Sequence, residues 1–476
     1  MGWRRPVSGR SADRRGEGHR SEHYNTSGPG TRVYPGPVPA EPHAEDQAMN
    51  EKTPTRRAAI FGAVRVPFAR AYTVYADLGN LDLLSATVKS LVDRYELQGV
   101  RLGDCTAGAT LTDPREWNLM REAVLSSALA PETPAFDLAR ACGTSAEATI
   151  AIANKIALGQ IESGIAAGVD SISATPLLWS YAISRRFTKM NRARTLGQRL
   201  GAWKGFRPHE LKPVPPRITE RQTGLNMGES CELMAKQWKI SRLDQDTLAL
   251  ASHEKAAAAW KEGFYQDLVV PFHGADRDNN VRPDTSLEKL AALKPAYDRT
   301  GTGTLTAGNS TPLTDGAAAV LLGSDEWGHS RGLSPWAHVV DAEVSAVDFF
   351  RKGEGLLMAP VYAVPRLLAR VGLRLGDFDF YEIHEAFAAQ TLCALRAWES
   401  DSFCRDKLGL PGALGSIDPA KLNIKGGSVA LGHPFGATGA RIVGTLAKLL
   451  ADRGRGRGLV SICTGGGMGV TLILER

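Results

Sequence analysis

The sequence predicts an α/β fold in which helices layer against a sheet. Three observations predict it. Short apolar runs alternate with small-residue helical stretches along most of the chain. Fifty glycines punctuate the 476 residues without forming a low-complexity tract, as tight loops between packed elements require. A small-residue helix followed by a strand near residues 144–170 recurs near 439–463, which suggests internal duplication.

The first 48 residues stand apart. They are rich in Arg, Gly, Pro, Ser and His and carry no strand or helix period, so they cannot bury enough surface to offset their ordering entropy. A disordered tail over residues 1–56 is the expectation. Asp13, Glu17 and Glu22 argue against a transit peptide. Met49 offers an alternative translational start just before the first strand.

That strand is Arg57-Ala-Ala-Ile-Phe-Gly-Ala-Val, a buried apolar run. Helical apolar spacing covers 80–97, and a second helix fits 117–129. Pro134-Ala-Phe-Asp-Leu-Ala-Arg-Ala reads as a strand that delivers Cys142. Residues 145–160 follow as a small-residue helix and 164–169 as a compact strand. The rhythm breaks over 176–300, a stretch richer in Arg, Lys, Pro and Trp that reads as an insertion with its own helices. It resumes over 303–322, where an Ala-rich segment reads as a helix, and continues with a strand near 337–344. Helix 439–450 and strand 458–463 close the pattern.

Composition narrows the function classes. A formal charge of +6 suits an anionic partner without requiring nucleic acid, and none is expected. No apolar run approaches the roughly 20 residues that span a bilayer. Six cysteines show no CxxC pair and no zinc-ligand spacing, so no metal is expected. Free thiols fit a reducing compartment: cytoplasmic, or mitochondrial for a eukaryotic chain.

Cys142 sits in Ala-Arg-Ala-Cys-Gly-Thr-Ser, between a strand and an Ala-rich helix. A thiol at a helix N-terminus feels the positive end of the dipole, which favours the thiolate. Alone, such a cysteine is more often a buried structural residue than a catalytic one. Its company consists of three C-terminal motifs: His384-Glu385-Ala386-Phe387-Ala388, then Gly426-Gly427 through Gly432-His433-Pro434 to Gly439, then Cys463-Thr464-Gly465-Gly466-Gly467. Neither a P-loop nor a dinucleotide fingerprint is present.

Together these motifs, in this order, resemble the thiolase family, as do Arg65-Val-Pro-Phe68 and the segment from Thr306 to Ala318. The resemblance covers residues 58–476. It implies a duplicated, layered α-β-α-β-α fold with an inserted loop domain. The N-terminal thiolase domain would span 57–175 plus 301–325, the coenzyme-A-binding insertion 176–300 and the C-terminal domain 330–476. By matching position, Cys142 is implied as the acyl-accepting nucleophile, His433 as its base, and Cys463 as the acid/base at the α-carbon. His384 stands where many thiolases have Asn and would orient a water at the enolate oxygen. The backbone amides of Cys142 and Gly465 would form the second oxyanion site. Ser310 and Thr311 fall where the family places a hydroxyl near pantetheine, and a turn or N-cap before the Ala-rich helix is the alternative reading. Asp315 and Glu385 read as loop-fixing acceptors. Cys105, Cys231, Cys393 and Cys404 match no catalytic position and read as structural.

The His-Glu-Ala-Phe-Ala-Ala-Gln-Thr-Leu run, Leu196-Gly-Gln-Arg-Leu200 and Thr223-Gly-Leu-Asn-Met-Gly-Glu-Ser230 resemble the trifunctional-protein β-subunit type of 3-ketoacyl-CoA thiolase. That resemblance implies fatty-acid β-oxidation, acetyl-CoA and CoA as substrates rather than cofactors, and a homodimer or tetramer. It also implies a hydratase/dehydrogenase partner subunit. A short-chain acetoacetyl-CoA thiolase and an inactive lipid-binding scaffold are the alternatives. Condensing enzymes of fatty-acid synthesis lack the second cysteine, so Cys463 argues against them. Between Ser184 and Pro208 lies a basic run without an acid: Arg185, Arg186, Lys189, Arg192, Arg194, Arg199, Lys204 and Arg207. It reads as a solvated face, a coenzyme-A phosphate cradle, or a peripheral membrane contact.

Overall fold

A computed structural model describes residues 56–476 except Arg217. The tail and the Met49 start lie outside the described residues. The strands are β1 (Ala58–Arg65), β2 (Ala69–Arg70), β3 (Asp104–Ala107), β4 (Ala135–Asp137) and β5 (Ser163–Asp170). They continue with β6 (Thr314–Ser324), β7 (Ala337–Ala346), β8 (Phe380–Ile383), β9 (Arg457–Thr464) and β10 (Met468–Glu475). The helices of the first half are α1 (Asn80–Arg94), α2 (Leu119–Ser126) and α3 (Thr144–Ala157). The insertion carries α4 (Tyr181–Arg192), α5 (Leu196–Gly201), α6 (Met227–Gln237), α7 (Arg242–Lys261) and α8 (Leu287–Ala291). The second half adds α9 (Asp325–Ser330), α10 (Ala359–Val371), α11 (Ala388–Glu399), α12 (Asp401–Leu408), α13 (Ser428–Leu431) and α14 (Thr438–Arg453).

Strand order is β4-β3-β5-β6-β1-β7-β10-β9-β8, with β2 beside β6. Each half repeats one plan. β1 pairs antiparallel with β6, β6 antiparallel with β5, and β5 parallel with β3. Likewise β7 pairs antiparallel with β10, β10 antiparallel with β9, and β9 parallel with β8. The halves join where Ala58, Ala59 and Ile60 meet Val339, His338 and Ala337. This is the duplication suggested by the recurring helix–strand pattern.

Period-two burial builds the layers. On β6, Ala318, Val320 and Leu322 face the core shared with α3 and α14, while Ala317, Ala319 and Leu321 face α1 and α2. On the second half, Val460, Ile462, Val470 and Leu472 face α3 and α14, while Leu459 and Ile473 face α10 and α11. Helices α3 and α14 therefore form the middle of an α-β-α-β-α stack. They touch closely, since a Cβ on Gly439 would fall 2.3 Å from the Ala146 nitrogen.

The Ala-rich segment is strand β6, not a helix. It is buried along its whole length between two helical layers, and its small residues let those layers approach. Tertiary burial overrides the helix propensity of alanine here. The insertion does not fold apart from the rest. Cys231, Met234 and Ala235 of α6 join the core around α10 and α11, and Ala256 and Ala259 of α7 join the central core. No described helix is long and apolar enough to cross a membrane.

Candidate active site

Cys142 does not end a strand. β4 stops at Asp137, and Cys142 occupies a single 3-10 turn, Ala141–Gly143, directly before α3. Ala141 takes φ 45°, a left-handed conformation that costs a residue with a Cβ. The turn is held from both sides. Thr144 Oγ1 donates to the Ala141 carbonyl at 2.8 Å and accepts the Arg140 N–H at 2.9 Å. A Cβ on Gly143 would come within 2.8 Å of Val470, so the turn lies flat on the second half of the sheet.

The loop carrying His433 is tied to the same helix. Ala440 N–H donates to Ser145 Oγ at 2.7 Å, and Ser145 N–H donates to the Gly436 carbonyl at 3.2 Å. Asp170 accepts the Gly436, Leu111 and Thr110 amides, although burial raises its carboxyl to about 6. His433 Nδ1 lies 2.6 Å from Thr438 Oγ1, whose single proton goes to the Pro434 carbonyl at 2.9 Å. The threonine oxygen must then accept, so Nδ1 carries the imidazole proton. Nε2 is left with its lone pair facing Cys142 Sγ at 3.2 Å.

Burial decides the charge state of this pair. It pushes the Cys142 thiol up to about 12, against the backbone N–H groups of Gly465 and of Cys142 itself, which favour the thiolate. This holds although Cys142 as a residue is only partly covered. Burial, then the Arg441 charge, pushes His433 down to about 3. The helix-end argument for a resting thiolate is therefore overturned by desolvation, and the pair rests as neutral thiol and neutral imidazole.

His384 follows β8, and its ring centroid lies 4.2 Å from that of His433. Nδ1 is 2.9 Å from Ser428 Oγ, and Nε2 is buried without a partner. Burial, His433 and Arg441 hold it well below the usual histidine range, hence neutral. Glu385 accepts Ser252 Oγ–H and Asn423 Nδ2–H at 2.7 Å each and the Val429 amide at 3.3 Å, which pins this loop to the His433 segment. Asp315 likewise accepts the Ile172 and Ser173 amides at 2.6 and 3.0 Å. Cys142 Sγ and one ring nitrogen from each of His384 and His433 lie within 4.8 Å of one another. These are the groups that could hold a metal ion, although the sequence pointed to none.

Cys463 is the next-to-last residue of β9, buried, with its thiol driven well above the ordinary range by burial first and by Cys142 second. The turn that follows uses Gly466 and Gly467 at φ 77° and 69°. Gly465 differs: a Cβ there would meet nothing closer than 3.6 Å, so protein packing alone does not require the glycine. Glu220 of the insertion accepts the Gly466 amide at 2.7 Å, a contact the sequence gave no sign of.

Ser310 and Thr311 line a cavity of about 650 Å³. Thr311 Oγ1 donates to the Ala386 carbonyl at 3.1 Å, and Ser310 Oγ is buried without a partner. Neither caps a helix, since β6 follows them. Arg70, Arg282 and Lys289 line this cavity, whereas no residue of the basic run does. Cys142 is not among its lining residues. A larger cavity, about 880 Å³ between α3 and β7, lies away from this chemistry. The basic run forms a separate hairpin, closed by the Leu178–Val214 bridge. Within it Arg186 is not free, because Glu210, just beyond the run, accepts its Nε–H at 2.6 Å and its Nη2–H at 3.0 Å. Cys105, Cys231, Cys393 and Cys404 are buried free thiols.

Known proteins agree with this architecture. Residues 58–326 match the family domain described as thiolase, N-terminal domain, and residues 333–476 match thiolase, C-terminal domain. A 3-ketoacyl-CoA thiolase of Pectobacterium carotovorum subsp. carotovorum (strain PC1) is 43% identical over 425 residues, 88% of this chain and 96% of that relative. One of Yersinia enterocolitica serotype O:8 / biotype 1B is 42% identical, over 88% of this chain and 97% of its own. The crystal structure of the Bacillus anthracis acetyl-CoA acetyltransferase superposes with a TM-score of 0.72 at 29% identity, covering 89% of this chain and 100% of that one. With both halves matched and the two-cysteine, two-histidine cluster at their junction, the chain belongs to the thiolase family of acyltransferases.

Proposed function

We propose that the protein cleaves 3-ketoacyl-CoA with CoA, and runs the reverse Claisen condensation, through an acyl-thioester on Cys142. The observation that carries this reading is the 3.2 Å Cys142–His433 contact with the imidazole lone pair turned to the thiol. As Cys142 Sγ attacks the 3-keto carbon, its proton passes to His433 Nε2. The amides of Cys142 and Gly465 stabilise the tetrahedral oxyanion, each worth about 2.7–4 kcal/mol in comparable sites. The C2–C3 bond then breaks, its electron pair collects on the thioester oxygen of the acetyl-CoA enolate, and the Cys463 thiol protonates C2. In the second half, CoA gives its thiol proton to the Cys463 thiolate and attacks the acyl-enzyme. The C–S bond to Cys142 breaks, and the departing thiolate takes its proton back from His433 Nε2, which restores both groups. Two thiols serve because one carries the acyl group while the other moves a proton at carbon.

Coenzyme A is substrate here, not a resident cofactor. The Ser310/Thr311 cavity suits its pantetheine, with Arg70, Arg282 and Lys289 supplying charge for phosphates. The domain reading follows: 57–175 plus 301–325 and 330–476 as the two thiolase halves, with 176–300 contributing the coenzyme-A site. A homodimer or tetramer fits the outer edge of β4, which pairs with no further strand among the described residues, and a hydratase/dehydrogenase subunit would supply the 3-ketoacyl-CoA. Exposed Leu177, Trp179, Tyr181, Leu196 and Leu200 beside exposed arginines favour a peripheral contact of the hairpin with an anionic membrane.

A spectrophotometric thiolysis assay across short and long 3-ketoacyl-CoA substrates tests the reading. Cleavage of long chains is expected. Cleavage of acetoacetyl-CoA alone would make this a short-chain thiolase, and a folded protein that cleaves none would be a scaffold.

A further inference from the structure

We propose that Ser428 and Arg441 are positioning residues that lock His384 in the tautomer with its proton on Nε2, which makes His384 a direct hydrogen-bond donor to the enolate oxygen. The inference rests on the thiolase reading and extends it to residues outside the reacting groups. It also changes the expected role of His384 from holding a water to donating by itself.

The argument is an account of protons. Ser428 opens α13, and its Oγ has two polar neighbours among the described residues: Arg441 Nη2 at 2.6 Å and His384 Nδ1 at 2.9 Å. Arginine can only donate, so Oγ accepts there. If His384 Nδ1–H also donated to Oγ, the serine proton would be buried without an acceptor and Nε2 would hold an idle lone pair. If Ser428 donates to Nδ1, both the proton and the oxygen of its hydroxyl are paired. Of the Ser428 hydroxyl and the His384 ring, only His384 Nε2–H is then unpaired, buried beside the His433 ring. Arg441 Nε and Nη1 and Glu382 Oε1 lack hydrogen-bond partners in either arrangement and do not decide between them. Fully paired buried hydroxyls are strongly preferred, so the second arrangement prevails.

Arg441 constrains this choice because its donation to Ser428 Oγ is the one hydrogen bond its side chain makes among the described residues. It lies on α14 with Nη1 3.7 Å from Glu382 Oε2 of β8, both side chains almost wholly buried. Its charge against Oγ also polarises the serine O–H toward His384. The tautomer matters to the reaction. An Nε2 lone pair would repel the enolate oxygen, whereas Nε2–H stabilises it together with the Nε2–H that His433 gains from Cys142. A carboxamide at position 384 always offers an N–H by rotation, but a histidine needs its tautomer set from behind.

The full-length protein labelled with [15N]histidine provides the first test. Long-range 1H–15N correlation spectra, with His384→Asn for assignment, should give His384 a protonated Nε2 and an unprotonated Nδ1. The opposite pattern in the wild type overturns the proposal, whether or not any variant folds. The second test uses Ser428→Ala with acetyl-CoA. Exchange of its methyl protons in D2O should slow about tenfold, while acetylation of Cys142 with release of CoA stays within about twofold. In a His384→Ala background, Ser428→Ala should add no further loss. Equal slowing of both half-reactions, or a full loss in that background, overturns the proposal. A wild type that performs neither half-reaction would instead sink the thiolase reading, and the spectra would still judge the tautomer.

Discussion

His433 Nε2 lies 3.2 Å from Cys142 Sγ, and burial pushes the two groups away from an ion pair, the thiol up to about 12 and the imidazole down to about 3. At neutral pH the proton is on sulfur. Raising the pH therefore increases the thiolate fraction tenfold per unit until the thiol titrates. Without substrate, inactivation by iodoacetamide should climb about tenfold per unit between roughly pH 7 and 10. A plateau below pH 8 would mean a resting thiolate and would refute the neutral pair. Because His433 stays unprotonated far below its ordinary range, its protonation should leave no acid limb near pH 6.5 in kcat/KM.

Thr438 fixes the direction of that pair. Its hydroxyl donates to Pro434 and accepts from His433 Nδ1–H. Thr438→Val keeps the shape and removes both bonds. Loss of a buried hydrogen bond costs about 1–3 kcal/mol, so kcat/KM should fall roughly 5- to 150-fold. KM should change little, since the residue touches no part of the coenzyme-A cavity. An unchanged rate with an unchanged melting temperature would show that the imidazole needs no outer partner.

How far these relationships could be read in the sequence depended on how local they are. Cys142, His433, His384 and Cys463 each announce themselves inside a short motif, and the structure gathers them at the junction of the two halves. The strand β1 and the α3–β5 unit were legible because their apolar periods are local. β6 was not, because alanines that separate two helical layers look like a helix until the second layer is known. Arg70, Arg282 and Lys289 reach one cavity from segments some two hundred residues apart, so no window contains them. Ser428, Arg441 and Glu382 belong to three separate elements, α13, α14 and β8, and only the fold brings them together behind His384.

Cys463 separates the two chemistries. Cys463→Ala leaves Cys142, His433 and the backbone amides in place, so acetylation of Cys142 by acetyl-CoA should persist. Proton exchange at the acetyl methyl and overall thiolysis should fall about 10²–10⁴-fold, the usual worth of a positioned acid/base. Mass spectrometry of trapped acetyl-enzyme, with NMR of acetyl-CoA in D2O, distinguishes the two outcomes. Equal loss of acetylation would place Cys463 in the nucleophilic step instead.

The hairpin between Leu178 and Val214 has its own small core. Trp203 stacks edge-on with Phe187 and Phe206 at 5.7 and 5.4 Å, and Arg186 is clamped by Glu210. Arg185, Lys189, Arg192, Arg194 and Arg199 remain exposed around exposed Trp179, Tyr181, Leu196 and Leu200. An anionic interface would meet both the charge and the apolar area, and each basic residue near such a surface is worth about 1 kcal/mol. Vesicles containing phosphatidylglycerol should carry the protein upward in flotation, while neutral phosphatidylcholine vesicles should not. Reversing Arg185, Lys189 and Arg194 to Glu should abolish flotation and leave thiolysis intact, because none of the three lines the coenzyme-A cavity. Arg186 is a poor choice for reversal, since its loss would strand buried Glu210 and collapse the hairpin. Flotation that survives the triple reversal, or a wild type that does not float, would remove the membrane contact and leave the hairpin to a protein partner.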